Sequence, residues 1–97
     1  MSGYYDRQGN PITLDDWVAT FRHNDGRVAL DTVGAVTVST VHLGIDHSFG
    51  SGRPLIFETM VLGGPLDEEQ ARYSSEVEAV AGHQQVVARV HAAETGA

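Results

Sequence analysis

Two runs of β-favouring residues constrain this chain more than anything else in it. Val36-Thr37-Val38-Ser39-Thr40-Val41-His42-Leu43-Gly44-Ile45 and Leu55-Ile56-Phe57-Glu58-Thr59-Met60-Val61-Leu62 flank a loop, Asp46 to Pro54, that holds Gly50, Gly52 and Pro54. Branched and aromatic residues suit a pleated, half-buried surface, and glycine with proline turns the chain back. An antiparallel hairpin follows. Upstream, Arg27–Val33 reads as a further strand, and Gly34-Ala35 as a two-residue link to Val36. That link sets Val28 opposite Val41 and Leu30 opposite Ser39. Across the central loop, alternation predicts Leu43 opposite Phe57, Ile45 opposite Leu55 and Val41 opposite Thr59. One face then carries Val28, Leu30, Val41, Leu43, Ile45, Leu55, Phe57 and Val61 as the core. The other carries Val36, Val38, Thr40, His42, Ile56, Glu58, Met60 and Leu62, too apolar to stay fully wet.

The flanks add a hairpin and two helices. Asp6 to Gly9 suits a tight turn with Gly9 at positive φ, and Pro11 keeps the hairpin at a sheet edge. Thr13 and Asp16 open a helix in which Leu14, Trp17, Val18 and Phe21 recur at helical spacing. Asn24-Asp25-Gly26 ends it, and Trp17 is expected in the core. Gly63-Gly64-Pro65 ends the last strand. Leu66 to Tyr73 reads as a polar connection with room for one helical turn. Ser75 and Glu78 form a capping box before a helix expected from Glu76 to about Ala93. Its inward face would hold Val77, Val80, Ala81, Val87 and Val90, widened by Ala79, Gly82 and Val86, and residues 94–97 would fray. The expected fold is α+β, one domain over residues 1–97. It is a three-stranded antiparallel β-meander with an N-terminal hairpin and short helix and a longer C-terminal helix packed on the sheet.

Charge narrows the partners. Six basic residues, all arginine, face 13 acidic ones, for a net charge of −7. That sign opposes direct binding to nucleic acid or anionic lipid and suits a protein with a basic surface. With no cysteine, disulfides, thiolate metal sites and a cysteine nucleophile are excluded. No apolar run reaches the roughly 20 residues that span a bilayer. The opening Met1-Ser2-Gly3-Tyr4-Tyr5-Asp6 lacks the charged-then-apolar order of a signal peptide. The expectation is a cytoplasmic protein away from the membrane.

Residues able to do chemistry gather near the strands. The register above makes His42 and Glu58 cross-strand neighbours, puts His47 and Asp46 at the loop mouth and sets His83 on the last helix. Imidazole and carboxylate serve as ligands for a divalent metal and as acid–base pairs, so Glu58, His42 and His47 are the catalytic candidates. His47, Glu58 and His83 are the metal candidates. No HExxH-like spacing supports either role, and neighbouring polar residues on a sheet usually just pair. Asp46-His47-Ser48 is no nucleophile triad, because adjacent residues point apart. Gly50-Ser51-Gly52 is no phosphate loop, since neither a helix nor a Gly-Lys-Ser/Thr follows. Asp67, Glu68 and Glu69, with Glu76 and Glu78, are expected to form one negative end near the start of the last helix. Together with Met60 and Leu62 on the second sheet face, Asp67, Glu68, Glu69 and Glu76 are the partner-binding candidates.

Several phrases together resemble a group of short, mostly uncharacterised proteins of actinobacteria and their phages. They are Tyr4-Tyr5-Asp6-Arg7 with Gly9-Asn10-Pro11-Ile12, Trp17, Val38-Ser39-Thr40-Val41 with Leu43-Gly44 and Asp46-His47, Pro54 to Val61, Gly63 to Asp67, Arg72-Tyr73-Ser74 and Gly82-His83. The resemblance brings no activity with it. It implies an accessory protein of the phage–host encounter, working in the host cytoplasm. The function expected is therefore a small acidic protein acting by protein–protein binding, such as a phage-encoded inhibitor of a host or defence protein, with no cofactor. A homodimer through the second sheet face is the simpler association. The alternative is a small metal-dependent or acid–base enzyme using the His/Glu cluster.

Overall fold

Each alternating run becomes a strand. The computed structural model describes residues 3–22, 26–46, 48 and 52–95, excepting the side chains of Phe21 and Thr95. In it β1 (Arg27–Val33), β2 (Val36–His42), β3 (Phe57–Leu62) and β4 (Gln70–Tyr73) pair in sequence order as one antiparallel sheet. α2 (Glu76–Thr95) packs on one face of it, touching all four strands. α1 (Leu14–Arg22) hangs from the 43–44 stretch through Trp17, whose Nε1 donates to the Leu43 carbonyl at 2.9 Å. Trp17 is half-buried against Tyr4 rather than set in the core beneath α2. The fold is α+β as expected, but the meander has four strands rather than three. Gln70–Tyr73, expected as a connection, is a strand because Ala71 and Tyr73 turn toward the helix while Gln70 and Arg72 turn out. Four residues are too few for that alternation to stand out.

Local signals hold at several points. Gly34, at φ 59°, takes the first central position of the β1–β2 turn, where positive φ matches the twist of the strands. Leu30 lies opposite Ser39 as expected. Asp6 accepts from the Gly9 amide at 3.0 Å across the N-terminal turn. The Asp16 amide donates to Thr13 Oγ1, and the Glu78 amide to Ser75 Oγ, so both caps form. α2 continues to Thr95, two residues past its expected end.

The central register differs by one residue. Val41 lies opposite Glu58, His42 opposite Phe57 and Thr40 opposite Thr59. The cause is a bulge: the Leu43 and Gly44 amides both donate to the carbonyl of Ile56, at 2.8 and 3.3 Å. One extra residue at that point turns every β2 side chain to the other face. A second irregularity, between Arg27 and Ala29, puts Arg27 rather than Val28 opposite Val41. The buried face therefore holds Val33, Val36, Val38, Thr40, His42, Phe57, Thr59 and Val61. Leu30, Ser39, Val41, Glu58, Met60 and Leu62 share the open face, with Leu30 50% and Leu62 47% exposed.

α2 is rotated from its expected orientation as well. Ala79, His83, Val86 and Val90 are buried, whereas Val77 is 81% and Val80 43% exposed. Polar and apolar residues are spread around the helix without a strong stripe, so its pattern names no preferred face. The sheet decides instead. Two apolar clusters, Val33/Val36/Val38/Val61 with Val86 and Val90, and Ile56/Phe57 with Ala79, leave a polar centre that accepts His83.

Candidate functional site

That centre is a continuous line of hydrogen bonds through all four strands and the helix. His83 Nε2 lies 2.7 Å from Asp31 Oδ2, and its Nδ1 lies 2.6 Å from Thr40 Oγ1. Thr40 Oγ1 meets Thr59 Oγ1 at 2.5 Å, and the Tyr73 hydroxyl donates to Thr59 at 3.1 Å. A carboxylate only accepts, so Nε2 donates to Asp31. With the ring neutral, Nδ1 is then an acceptor. Hydroxyl protons run one way, from Tyr73 to Thr59 to Thr40 to His83. Hydroxyl, imidazole and carboxylate stand in the order of a nucleophile triad. Access is missing, because Thr40, Thr59 and His83 are each at most 1% exposed. The cavity beside Thr59, bounded by Ala71, Val86 and the Glu69–Arg89 pair, is about 20 Å³. That is room for one water and no substrate. The line satisfies the side-chain polar atoms of Thr40, Thr59 and His83 and fixes the seat of α2 on the sheet.

Among the described residues, Glu58 is not brought together with His42 or His83. Glu58 lies on the open face, where Arg72 Nε donates to its Oε2 at 3.1 Å. His42 and His83 lie on the buried face, so the sheet itself separates them from Glu58. The bulge at Leu43/Gly44 is the reason: it turns His42 toward Phe57 and leaves Val41 beside Glu58. His47 lies outside the described residues. Among those described, no three His, Asp or Glu side chains converge as metal ligands. Glu58→Gln should change unfolding free energy by less than about 1 kcal/mol in urea denaturation, because a pair this close to water is weak.

The acidic residues divide between two ends. Arg7 Nε donates to Glu76 at 2.9 Å and Arg53 Nη2 to Glu78 at 3.1 Å, both at the start of α2. The Ser75 hydroxyl, with Arg53, holds the Glu78 carboxyl below its usual range. An open groove of about 510 Å³ lies beside this end, between Gln8, Glu76, Val77 and Val80. Asp67, Glu68 and Glu69 stand at the other end, where Arg89 Nη2 reaches Glu69 at 2.8 Å. Thirteen helical residues separate Glu76 from Arg89, about 20 Å along the axis. A single negative end near the start of α2 therefore does not form.

The far end is the more densely built. The Asp67 carboxylate accepts from the Gly63 amide at 2.7 Å, and the Glu68 amide donates to the Val61 carbonyl at 2.8 Å. Glu68 takes φ 70°, left-handed backbone that a residue with a side chain adopts only when its surroundings require it. The Glu94 carboxylate lies against Gly64, close enough that a Cβ there would come within 2.8 Å of it. Leu62 is exposed beside this loop. Comparisons with protein-family models, with curated proteins and with solved structures give no match. No helix among the described residues is long and apolar enough to cross a membrane.

Proposed function

We propose that this chain is a binding protein whose acidic end docks a basic surface of another protein. The observation that carries the reading is the loop of residues 63–69. It fixes Asp67, Glu68 and Glu69 beside Glu94 and next to the exposed Leu62, with half-buried Met60 behind on the open face. Charged rim and apolar centre together are how transient protein interfaces are composed. Glu76, at the opposite end and engaged by Arg7, stays outside this surface. The resemblance to actinobacterial and phage proteins supports a narrower form, in which the acidic end occupies the nucleic-acid site of a host or defence protein in the cytoplasm.

The reading is tested by immobilising the protein and passing an actinobacterial lysate over it. A saturable partner should be retained at low salt and released as ionic strength rises. Glu68→Lys and Leu62→Ser should each weaken retention about tenfold or more, equivalent to roughly 1.4 kcal/mol, while leaving the thermal midpoint nearly unchanged. Retention indifferent to both substitutions, or no saturable partner, overturns it. A mass that doubles with concentration in light scattering, and reverts on Leu62→Ser, would assign the surface to a second copy instead.

A further inference from the structure

His42 ends β2 with its ring under the N-terminal hairpin. It is 3% exposed, and neither ring nitrogen has a hydrogen-bond partner. Buried polar atoms are almost always satisfied, so two orphans on one ring call for an explanation. On one side Phe57 packs at a centroid distance of 5.0 Å, tilted by 50°. Beside the ring lie the backbone of Asp6 and Tyr5, near enough to favour the charged form yet short of hydrogen-bond geometry, and the charges of Arg7 and Asp6. Burial pushes the imidazole below its ordinary pKa of 6.5, and the backbone of Asp6 only partly offsets this.

The cover over His42 is a strap formed by the N-terminal hairpin. Tyr4 bridges Ile45, and the Tyr5 amide donates to the Gly44 carbonyl at 2.8 Å. Arg7 reaches sideways to Glu76 and, at 3.4 Å, to the Arg27 carbonyl. Tyr4 also rests on the Trp17 ring at 5.1 Å, and within the strap the Asp6 amide bonds the Asn10 carbonyl and the Ile12 amide the Tyr4 carbonyl. Tyr5 closes over Ile56, Phe57 and Ala79.

We propose that the strap of residues 4–12 is an acid-released cover, which lifts from the end of β2 when His42 takes up a proton and uncovers Ile56 and Phe57. The direction follows from linkage. The covered ring is held neutral, whereas an imidazole in water takes its proton near pH 6.5. The open form binds more protons, so opening gains as pH falls through 6.5 and levels off at the lower pKa of the covered ring. The groups around the ring set no opposing bias strong enough to reverse this. Asp6 favours the charged form and Arg7 opposes it. The Asp6 carboxylate is itself occupied by the Gln8 and Asn10 amides, at 3.0 and 2.8 Å. Phe57 of β3 is uncharged, the Gly26 carbonyl accepts the His42 amide rather than the ring, and from α2 Glu76 is engaged by Arg7.

Amide hydrogen exchange on the full chain at pH 7.5 and 5.5 tests the cover, with rates corrected for intrinsic exchange. Protection of the Tyr5 amide, which bonds across to the Gly44 carbonyl, should fall by up to about tenfold at the lower pH, while β2 and β3 amides hold theirs. His42→Phe keeps an aromatic ring against Phe57 and should leave the strap equally protected at both pH values. Should that variant not fold, the His42 Cε1–H resonance and the strap amides of the unsubstituted protein must follow one pH curve. A strap insensitive to pH, a loss that persists in His42→Phe, or two separate curves would overturn the proposal.

Discussion

Replacing His83 with alanine should lower the unfolding free energy by about 3–5 kcal/mol, the range for emptying a large, fully buried side chain. A domain of this size has roughly 5–15 kcal/mol in total, so the variant should be marginal at room temperature. Two effects add. The cavity opens between the two apolar clusters, and Thr40 loses the acceptor for its proton. Asp31 adds little, because its side chain is 54% exposed and water replaces the imidazole. Thr40→Val separates the two effects. It preserves shape and removes the hydroxyl, leaving His83 Nδ1 buried without a donor, and should cost about 1–3 kcal/mol.

The decisive measurement is the combination. With His83→Leu, Thr40→Val, Thr59→Val and Tyr73→Phe together, no buried member of the line is left unpaired and the volume is nearly conserved. Replacing a buried polar set by apolar groups of similar shape is often close to neutral. Urea titration should therefore place the quadruple variant within about 2 kcal/mol of the unsubstituted protein, far above the sum of the single losses. Additive losses would mean that the hydrogen bonds act separately and that the line through the core is no unit.

Much of this fold is readable before any coordinates, and what is not has identifiable causes. The Gly34-Ala35 turn, the Thr13 and Ser75 caps and the Asp6–Gly9 turn are written in local chemistry, and each stands where that chemistry places it. The face of β2 is different. It hangs on a single inserted residue at Leu43/Gly44, whose one mark in the sequence is the lone Gly44, at φ 74°, while Leu43 and Ile45 continue the alternation past the strand end. That one residue also separates His42 from Glu58, so the expected pairing of those two side chains fails for the same reason as the register. The hydroxyl–imidazole line was hidden further back. His83 stands among small and apolar helix residues, and Thr40 and Thr59 alternate like ordinary strand threonines. Only the pairing of Thr40 with Thr59 brings the hydroxyls together.

Gly82→Ala should destabilise the protein although it improves the helix. A Cβ at Gly82 would fall 2.2–2.4 Å from the Cε1, Cζ and hydroxyl atoms of Tyr73, well inside contact distance. Alanine in mid-helix gains roughly 1 kcal/mol over glycine, while overpacking costs about 1–3 kcal/mol. Those atoms are the far end of a side chain, so the ring can swing. It cannot do so freely, because its hydroxyl is bonded to Thr59 and its body packs on Ile56 and Phe57. Swinging removes the last member of the line through the core. The net expectation is a loss of about 1–2 kcal/mol, which at this chain length lowers the thermal midpoint by roughly 4–16 °C. The sign should reverse once the obstacle is gone: in a Tyr73→Leu background, Gly82→Ala should raise the midpoint by about 4 °C or more, the helix gain alone. Calorimetry on the four proteins of this cycle reads both values. If Gly82→Ala stabilises the protein with Tyr73 present, α2 does not rest on β4 through this ring, and the seat of the helix over the polar centre must lie elsewhere.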